Sequence, residues 1–372
     1  MTSMARTTTA TTPLCLVVGM LSLAGTARAQ SPLFEVEKGD ATKLLQVTDD
    51  GGFLVRGALD VGTIPASGPG VRLMWYPGRA AFRAGGANSS QWDDGSIGSG
   101  SVALGLNTKA TGGSSLALNS NTEASGTNSI AGGVASIASG QTSLAVGYSA
   151  LASGNEAVAL GRSTFASGDH SFAAGSRTKA TGNASMATGT GTVAAGTSSV
   201  ALGTGVTAQG RGSFAFGDRN TQFPVTAGPN EFLVRAFGGI GLNTGVNIGC
   251  DLPAGTGAWA CTSSKLVKEE FEEVDGEDLL ARLKGVPIQR WRYLGTSARH
   301  LGPFAEDFQA AFGLGDSPTK IAQIDADGVA LRAVQALEQR TAELRAENAA
   351  LRAETTELRR RVEALESSGR ER

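Results

Sequence analysis

The chain has 372 residues, among them 52 Gly but only 3 Tyr and 2 His, with a formal net charge of −2. That length implies two or three structural units. The near-neutral balance excludes a field that would gather nucleic acid or an anionic membrane. So much Gly without a collagen-like triplet requires low complexity or a tightly turning repeat.

Residues 1–29 read as a signal peptide. Arg6 supplies the positive charge, an apolar run extends from Leu14 to Ala24, and Ala27-Arg28-Ala29 forms a small-x-small cleavage site. The apolar run is shorter than the ~20 residues that span a bilayer, and no later run reaches that length. Export is therefore expected, with no transmembrane anchor in the mature chain. Cys15 leaves with the signal, so Cys250 and Cys261 remain, flanking a loop with Gly and Pro. In an oxidising compartment a disulfide between them is the expectation, with two unrelated thiols as the alternative. No His or Cys cluster lies near them, so neither a metal site nor a cofactor is expected.

Residues 30–95 form an N-terminal β region. Lys43–Val47 and Gly52–Arg56 read as a hairpin across Asp49-Asp50-Gly51. Aromatic and apolar residues then gather at Val71–Pro77, Ala81–Gly85 and Trp92. They are expected to cap the solenoid that follows, since solenoid ends need covering. A surface for sugar or a protein partner is the alternative.

Residues 96–217 repeat every fourteen residues. Ser101-Val102-Ala103-Leu104-Gly105 is the first of nine copies, through Ser143-Leu144-Ala145-Val146-Gly147 to Ser213-Phe214-Ala215-Phe216-Gly217, all with Ala at the third position. A second half-motif, Ala110-Thr111-Gly112, keeps the same step. Fourteen residues with two glycines make two short strands and two tight turns, one coil of a solenoid. Alternation puts Val102 and Leu104 on one face and Ala103 on the other. With the large residues filling the small interior, nine Ala would form an outward column on which another chain packs. A disordered linker would not hold apolar residues in register over nine periods. The pattern resembles the head repeats of YadA-type trimeric autotransporter adhesins. The resemblance implies a left-handed parallel β-roll in a homotrimer, although nothing in this sequence resembles that family's C-terminal membrane barrel.

Residues 218–258 read as a strand, Glu231–Ala236, and a Gly-rich connector. Beyond it, over 259–328, the chain becomes charged. Lys265–Phe271 and Leu279–Leu283 read as helices, Val286–Tyr293 as a strand, His300–Phe308 as the lead into a short helix, and Asp325-Ala326-Asp327-Gly328 as a turn. Ser263 with Lys268, Arg290-Trp291-Arg292-Tyr293, Arg299-His300-Leu301-Gly302-Pro303 and Asp325–Ala330 resemble the self-cleaving intramolecular chaperone domain that follows phage tail spikes of the endosialidase type. The resemblance implies an α+β module that holds three chains together while a β-rich fibre folds. A Ser–Lys dyad then cuts the module off, with Ser263 as nucleophile at a neighbouring peptide bond and Lys268 as its base. A Ser hydroxyl needs such a base, and a Lys serves once it is desolvated. Ser264 stands where that family usually carries Asp. The plainer reading is that Ser263 or Ser264 caps a following helix. His300 reads as a packing residue.

Residues 329–372 carry Leu337, Leu344, Leu351, Leu358 and Leu365 in strict sevens, with Val334, Thr341, Asn348, Thr355 and Val362 at the other seam position. This predicts a parallel coiled coil of roughly 55 Å. Asn348 beside Leu favours two strands in isolated zippers, whereas the repeat implies three, and the repeat takes precedence. The residues before the coil are acidic and apolar, which excludes a nucleic-acid-binding zipper.

The fold expected is mainly β: a parallel β-roll solenoid, a small α+β chaperone-like domain and a coiled coil, assembled as a homotrimer. The function expected is an exported, adhesin-like fibre at the cell surface or outside the cell, with the periplasm as the remaining compartment. Its partners are copies of itself and a surface ligand, a glycan or protein of a host or neighbour, but not nucleic acid. The alternative is a tail-fibre-like self-cleaving serine endopeptidase with the repeats as scaffold. Action on a glycan has no support, because Glu123, Glu156 and Asp169 are scattered and form no catalytic pair.

Overall fold

The computed structural model describes residues 16–17, 32–219 and 225–370. The expected signal peptide, residues 1–29, lies outside the described residues apart from Leu16 and Val17. The chain divides into two compact units, residues 1–262 and 263–372.

The first unit opens with antiparallel strands Pro32–Glu37, Lys43–Thr48 and Phe53–Val55. The hairpin turns where Thr48 and Gly52 exchange backbone contact, with Gly51 at positive φ. A second hairpin, Gly70–Tyr76 against Ala81–Ala87, then joins the solenoid, because Ala81–Ala87 runs parallel to the first coil strand, Val102–Leu106.

Each coil contains one long strand and one short strand, and the two kinds stack into separate sheets. Among the described residues one sheet has twelve strands and the other nine. Pairing is parallel and steps by one coil, so like lies on like: Leu144 on Val158, Ala145 on Ala159, Gly147 on Gly161. The short strands do the same, Leu151 on Phe165 and Ala152 on Ala166. Backbone groups are satisfied along the stack. Turn residues such as Ser163 and His170 adopt left-handed φ, and their N–H groups donate to Tyr148 and Asn155 one coil earlier, both at 2.8 Å.

The Ala column points inward, which corrects the expectation from alternation. Ala103, Ala117, Ala131 and their equivalents to Ala215 are fully buried, as are Ala110 to Ala208 on the short strands. Ser101 and Thr108, with their equivalents, complete the interior. A coil of fourteen residues brings its two sheets too close for larger side chains. Val102 is therefore only half-buried, and Leu104 faces outward. The glycines set the coil spacing. A Cβ on Gly161, at φ +115, would overlap the carbonyl oxygen of Gly175, and one on Gly140 would overlap that of Gly154.

Both ends of the stack are closed by arginine. Arg83 sits in register with Ala103 and is fully buried. It donates to the carbonyls of Phe82, Ser101 and Ala110 at 2.9, 2.9 and 3.1 Å and to Ser101 Oγ at 2.8 Å. Burial pulls its guanidinium down to about 10. Trp92, also fully buried, donates to Thr108 O at 2.8 Å and packs with Met74, Tyr76 and Ile97. At the far end Phe232–Arg235 adds a parallel strand, and Arg235 donates to Thr204 O and Asp218 O at 2.8 and 2.9 Å. The aromatic segment before the first coil thus covers the end of the roll.

Among the described residues the second unit has three α-helices, α1 (Gly276–Gly285), α2 (Ala305–Phe312) and α3 (Gln323–Arg370), and a two-stranded pair, Gln289–Trp291 with His300–Gly302. Leu279, Phe308, Val329 and Ala333 form its core. Asp275 caps α1, accepting from the N–H groups of Glu277 and Asp278 at 2.8 and 2.9 Å, which holds its carboxyl below the usual range. Two expectations are corrected here. Lys265–Val267 is a single 3₁₀ turn, after which the chain has no regular secondary structure up to Asp275, with Glu270 at positive φ. Glu269, Glu270, Glu272 and Glu273 crowd like charge where a helix would set Glu269 over Glu273. Asp325–Gly328 is no turn but the start of α3, where Asp325 lies in the first turn with favourable sign for the helix dipole.

The inward Ala column predicts an asymmetry between faces. Ala159→Leu should destabilise the chain by about 3 kcal/mol through overpacking, while Lys179→Leu on the exposed side of a short strand should stay within about 0.5 kcal/mol. Unfolding followed by circular dichroism checks this, and equal effects would place Ala159 outside the core.

Candidate functional site

The candidate residues open the second unit, directly after the last strands of the first in the chain. Strands Gly239–Gly245, Ile248–Pro253 and Ala260–Cys261 form a small antiparallel sheet at the end of the first unit. Cys250 lies directly opposite Cys261 in this ladder, and the two are joined as a disulfide across a separation of 11 residues. Thr262 N–H donates to Gly249 O at 2.9 Å, so the ladder holds the chain to the last residue of its unit.

Ser263 and Ser264 then divide the two tasks proposed for them. Ser264 is the N-cap of the 3₁₀ turn, accepting from Leu266 N–H at 3.2 Å. Ser and Asp are both favoured N-caps, so Ser264 performs the capping that an Asp at this position could perform. Ser263 is left free of that duty. The turn closes with Lys268 N–H donating to Lys265 O, and this reversal returns the Lys268 side chain to Ser263, Nζ to Oγ at 2.8 Å. Five residues of separation become one hydrogen bond because a single tight turn lies between them.

In that bond the amine donates to the hydroxyl. For Lys268 to act as a base it must be neutral and accept instead, which requires desolvation. Ser263 and Lys268 are both exposed in the single chain, so such desolvation must come from outside it. Among the described residues no other nucleophile–base pair of this kind appears in the second unit. His300 packs its ring on Trp291 with centroids 4.7 Å apart, in the packing role expected for it. No group of His, Cys, Asp or Glu among the described residues could hold a metal ion, and no helix there is long and apolar enough to cross a membrane.

A recess beside the connector sheet, lined by Val234, Phe237, Ile240, Leu252 and Pro253, is apolar and has Arg235 as its one charged side chain. It lacks the converging polar groups of a substrate pocket. The buried Arg83 and Arg235 carry no signal in the sequence alone; a single Arg at the repeat's Ala position, as with Arg83, is visible only once the register is known.

The model for the YadA head domain repeat matches residues 96–118, 124–150, 138–164, 152–178, 166–192, 180–205 and 194–220. The model described as chaperone of endosialidase matches residues 263–313. That match opens on Ser263 and includes Lys268, while Cys250 and Cys261 lie outside both. Comparison with curated proteins returns no match.

The crosslink should matter locally. Cys250→Ser/Cys261→Ser should weaken the connector sheet by about 3 kcal/mol and expose residues 254–259 to limited proteolysis of the native chain; an unchanged cleavage rate would show that the ladder holds without it.

Proposed function

From a chain that carries YadA-type head repeats and a chaperone-of-endosialidase domain in series, we propose an exported, adhesin-like surface fibre that works as a homotrimer. Its C-terminal unit assists trimerisation and folding of the roll and is then released by self-cleavage. The observation that carries the trimer is the outer face of the long-strand sheet. From Val102 to Phe214 every residue of one outward column is apolar, including Ile130, Phe172 and Met186. Strand register extends the column to Trp75 and Phe82 at one end and Phe232 at the other. A second column brings Leu73, Leu104 and Val146 to the surface. A rod whose interior is Ala, Ser and Thr buries little apolar area alone, and covering each half-exposed large side chain contributes about 1 kcal/mol.

The helical unit supports the same assembly. Leu337, Leu344, Leu351 and Leu358 are about half exposed on α3, one stripe in steps of seven, as a parallel coiled coil requires. Three such helices would hold three chains in parallel register.

Self-cleavage rests on the contact between Ser263 and Lys268. Neutral Lys268 takes the hydroxyl proton as Oγ attacks the carbonyl carbon of a peptide bond beside it. The C–N bond breaks, the leaving amine receives that proton from Lys268, and water hydrolyses the acyl ester on Ser263. Because Lys268 is exposed in one chain, cleavage follows assembly, when neighbouring chains can desolvate it.

Expression with and without Ser263→Ala tests the reading. On denaturing gels the parent should give two fragments with a new end near residue 263, and Ser263→Ala and Lys268→Met only the full-length chain. A parent found only at full length would remove the protease assignment. Crosslinking of the same samples should count three chains, and a clean dimer would remove the threefold state.

A further inference from the structure

The second unit segregates its charge along the chain. Residues 269–278 hold Glu269, Glu270, Glu272, Glu273, Asp275, Glu277 and Asp278 without a cation, and residues 279–305 hold Arg282, Lys284, Arg290, Arg292 and Arg299 without an anion. Part of this charge is used within the chain. Asp275 caps α1, Asp278 pairs with Arg282 at 2.8 Å, and Glu277 pairs with Arg340. What remains forms two separate surfaces. One is an acidic strap, the irregular segment containing Glu269, Glu270, Glu272 and Glu273. The other is a basic arm, the hairpin of Gln289–Trp291 and His300–Gly302 with Arg290, Arg292 and Arg299. Among the described residues none of these seven side chains makes an ion pair, although Arg292 donates to Thr296 O at 2.7 Å.

Apolar side chains are interleaved on both surfaces. Phe271 is 67% exposed on the strap, and Tyr293 and Leu294 are 63% and 102% exposed at the tip of the arm. Charge and apolar area are thus left uncovered on two patches of opposite sign. A closed ring of three requires this kind of pair, because a threefold contact is heterologous and joins two different patches, whereas a twofold contact joins a patch to itself.

We propose that the basic arm of one copy docks on the acidic strap of the next, closing a ring of three around the helical unit. The docking rests on the trimer reading above and specifies which surfaces of that unit make it. Opposite charge also steers the approach of copies before the roll has formed, so its effect is on the rate of assembly as well as on the contact itself.

The test uses the full chain in a Ser263→Ala background, so that cleavage does not alter the count. Chains diluted from denaturant are followed by crosslinking as the three-chain species appears. Arg290→Glu/Arg292→Glu/Arg299→Glu should slow its appearance at least ten-fold, and adding Glu269→Lys/Glu270→Lys/Glu272→Lys/Glu273→Lys to the same chain should restore it. The parent's rate should fall as salt rises, since exposed charges are screened beyond ~10 Å at 0.1 M. A Glu272→Cys/Tyr293→Cys pair should link chains to one another. Assembly of the arm variant at the parent's rate, no rescue by the second reversal, or linkage within a single chain would each overturn the docking. A parent that never forms the three-chain species would remove the trimer reading, and the docking with it.

Discussion

The close approach of successive coils is the constraint on which the first unit depends. Where Gly140 passes the carbonyl of Gly154 there is no room for a Cβ, and where the two sheets face each other the interior is filled by Ala, Ser and Thr, with Val206 the larger side chain near the far end. Parallel pairing in steps of one coil then forces like onto like, and the backbone ladder follows. The same closeness leaves the large residues nowhere to go but out. The roll therefore builds an apolar exterior because its interior is small, and the association surface is a direct result of the coil's dimensions.

This explains which features could be read from the sequence. The fourteen-residue step, the two strands per coil and the number of coils follow from Ala103, Ala117 and their equivalents, and they appear as expected. The direction of the Ala column does not follow, because alternation defines two faces without saying which is inside. A signal was present nonetheless. Ser101 lies two residues before Ala103, hence on the same face, and Thr108 and Ala110 repeat the pair seven residues on. A face that carries Ala, Ser or Thr in nearly every coil, with Val206 as its largest member, is the one with little space.

At the junction the sequence placed Ser263 and Lys268 in the same short segment but could not bring them together. Their hydrogen bond depends on the turn being one 3₁₀ turn and not a longer helix, and that depends on Ser264 capping and on the glutamates that follow. The irregular strap after Lys268 was hidden for the same reason, since Leu266, Val267 and Phe271 look helical until the repulsion among Glu269, Glu270, Glu272 and Glu273 is counted. Likewise the start of α3 was masked by Asp-x-Asp-Gly, whose turn preference yields to the packing of Val329 and Ala333 against Leu279 and Phe308.

The two units also differ in how their contacts are spaced along the chain. Helix formation along α3 joins residues three and four apart, whereas a coil gains its neighbours only after fourteen residues have turned and a second coil has stacked. Local contacts form faster than non-local ones, and a first coil without a neighbour has unpaired strand edges that invite wrong pairing. In the proposed assembly, a helical unit that forms early and sets chains side by side would supply the roll with what it lacks: neighbours for its outward columns, in parallel and in register. On the proposed reading, the backbone ladder and the covered apolar columns would hold the stacked coils without the unit that aligned them. Loss of that unit then removes a guide and no part of the finished rod, so a cut beside Ser263, after the last residue of the connector ladder, divides the chain where the two tasks already divide.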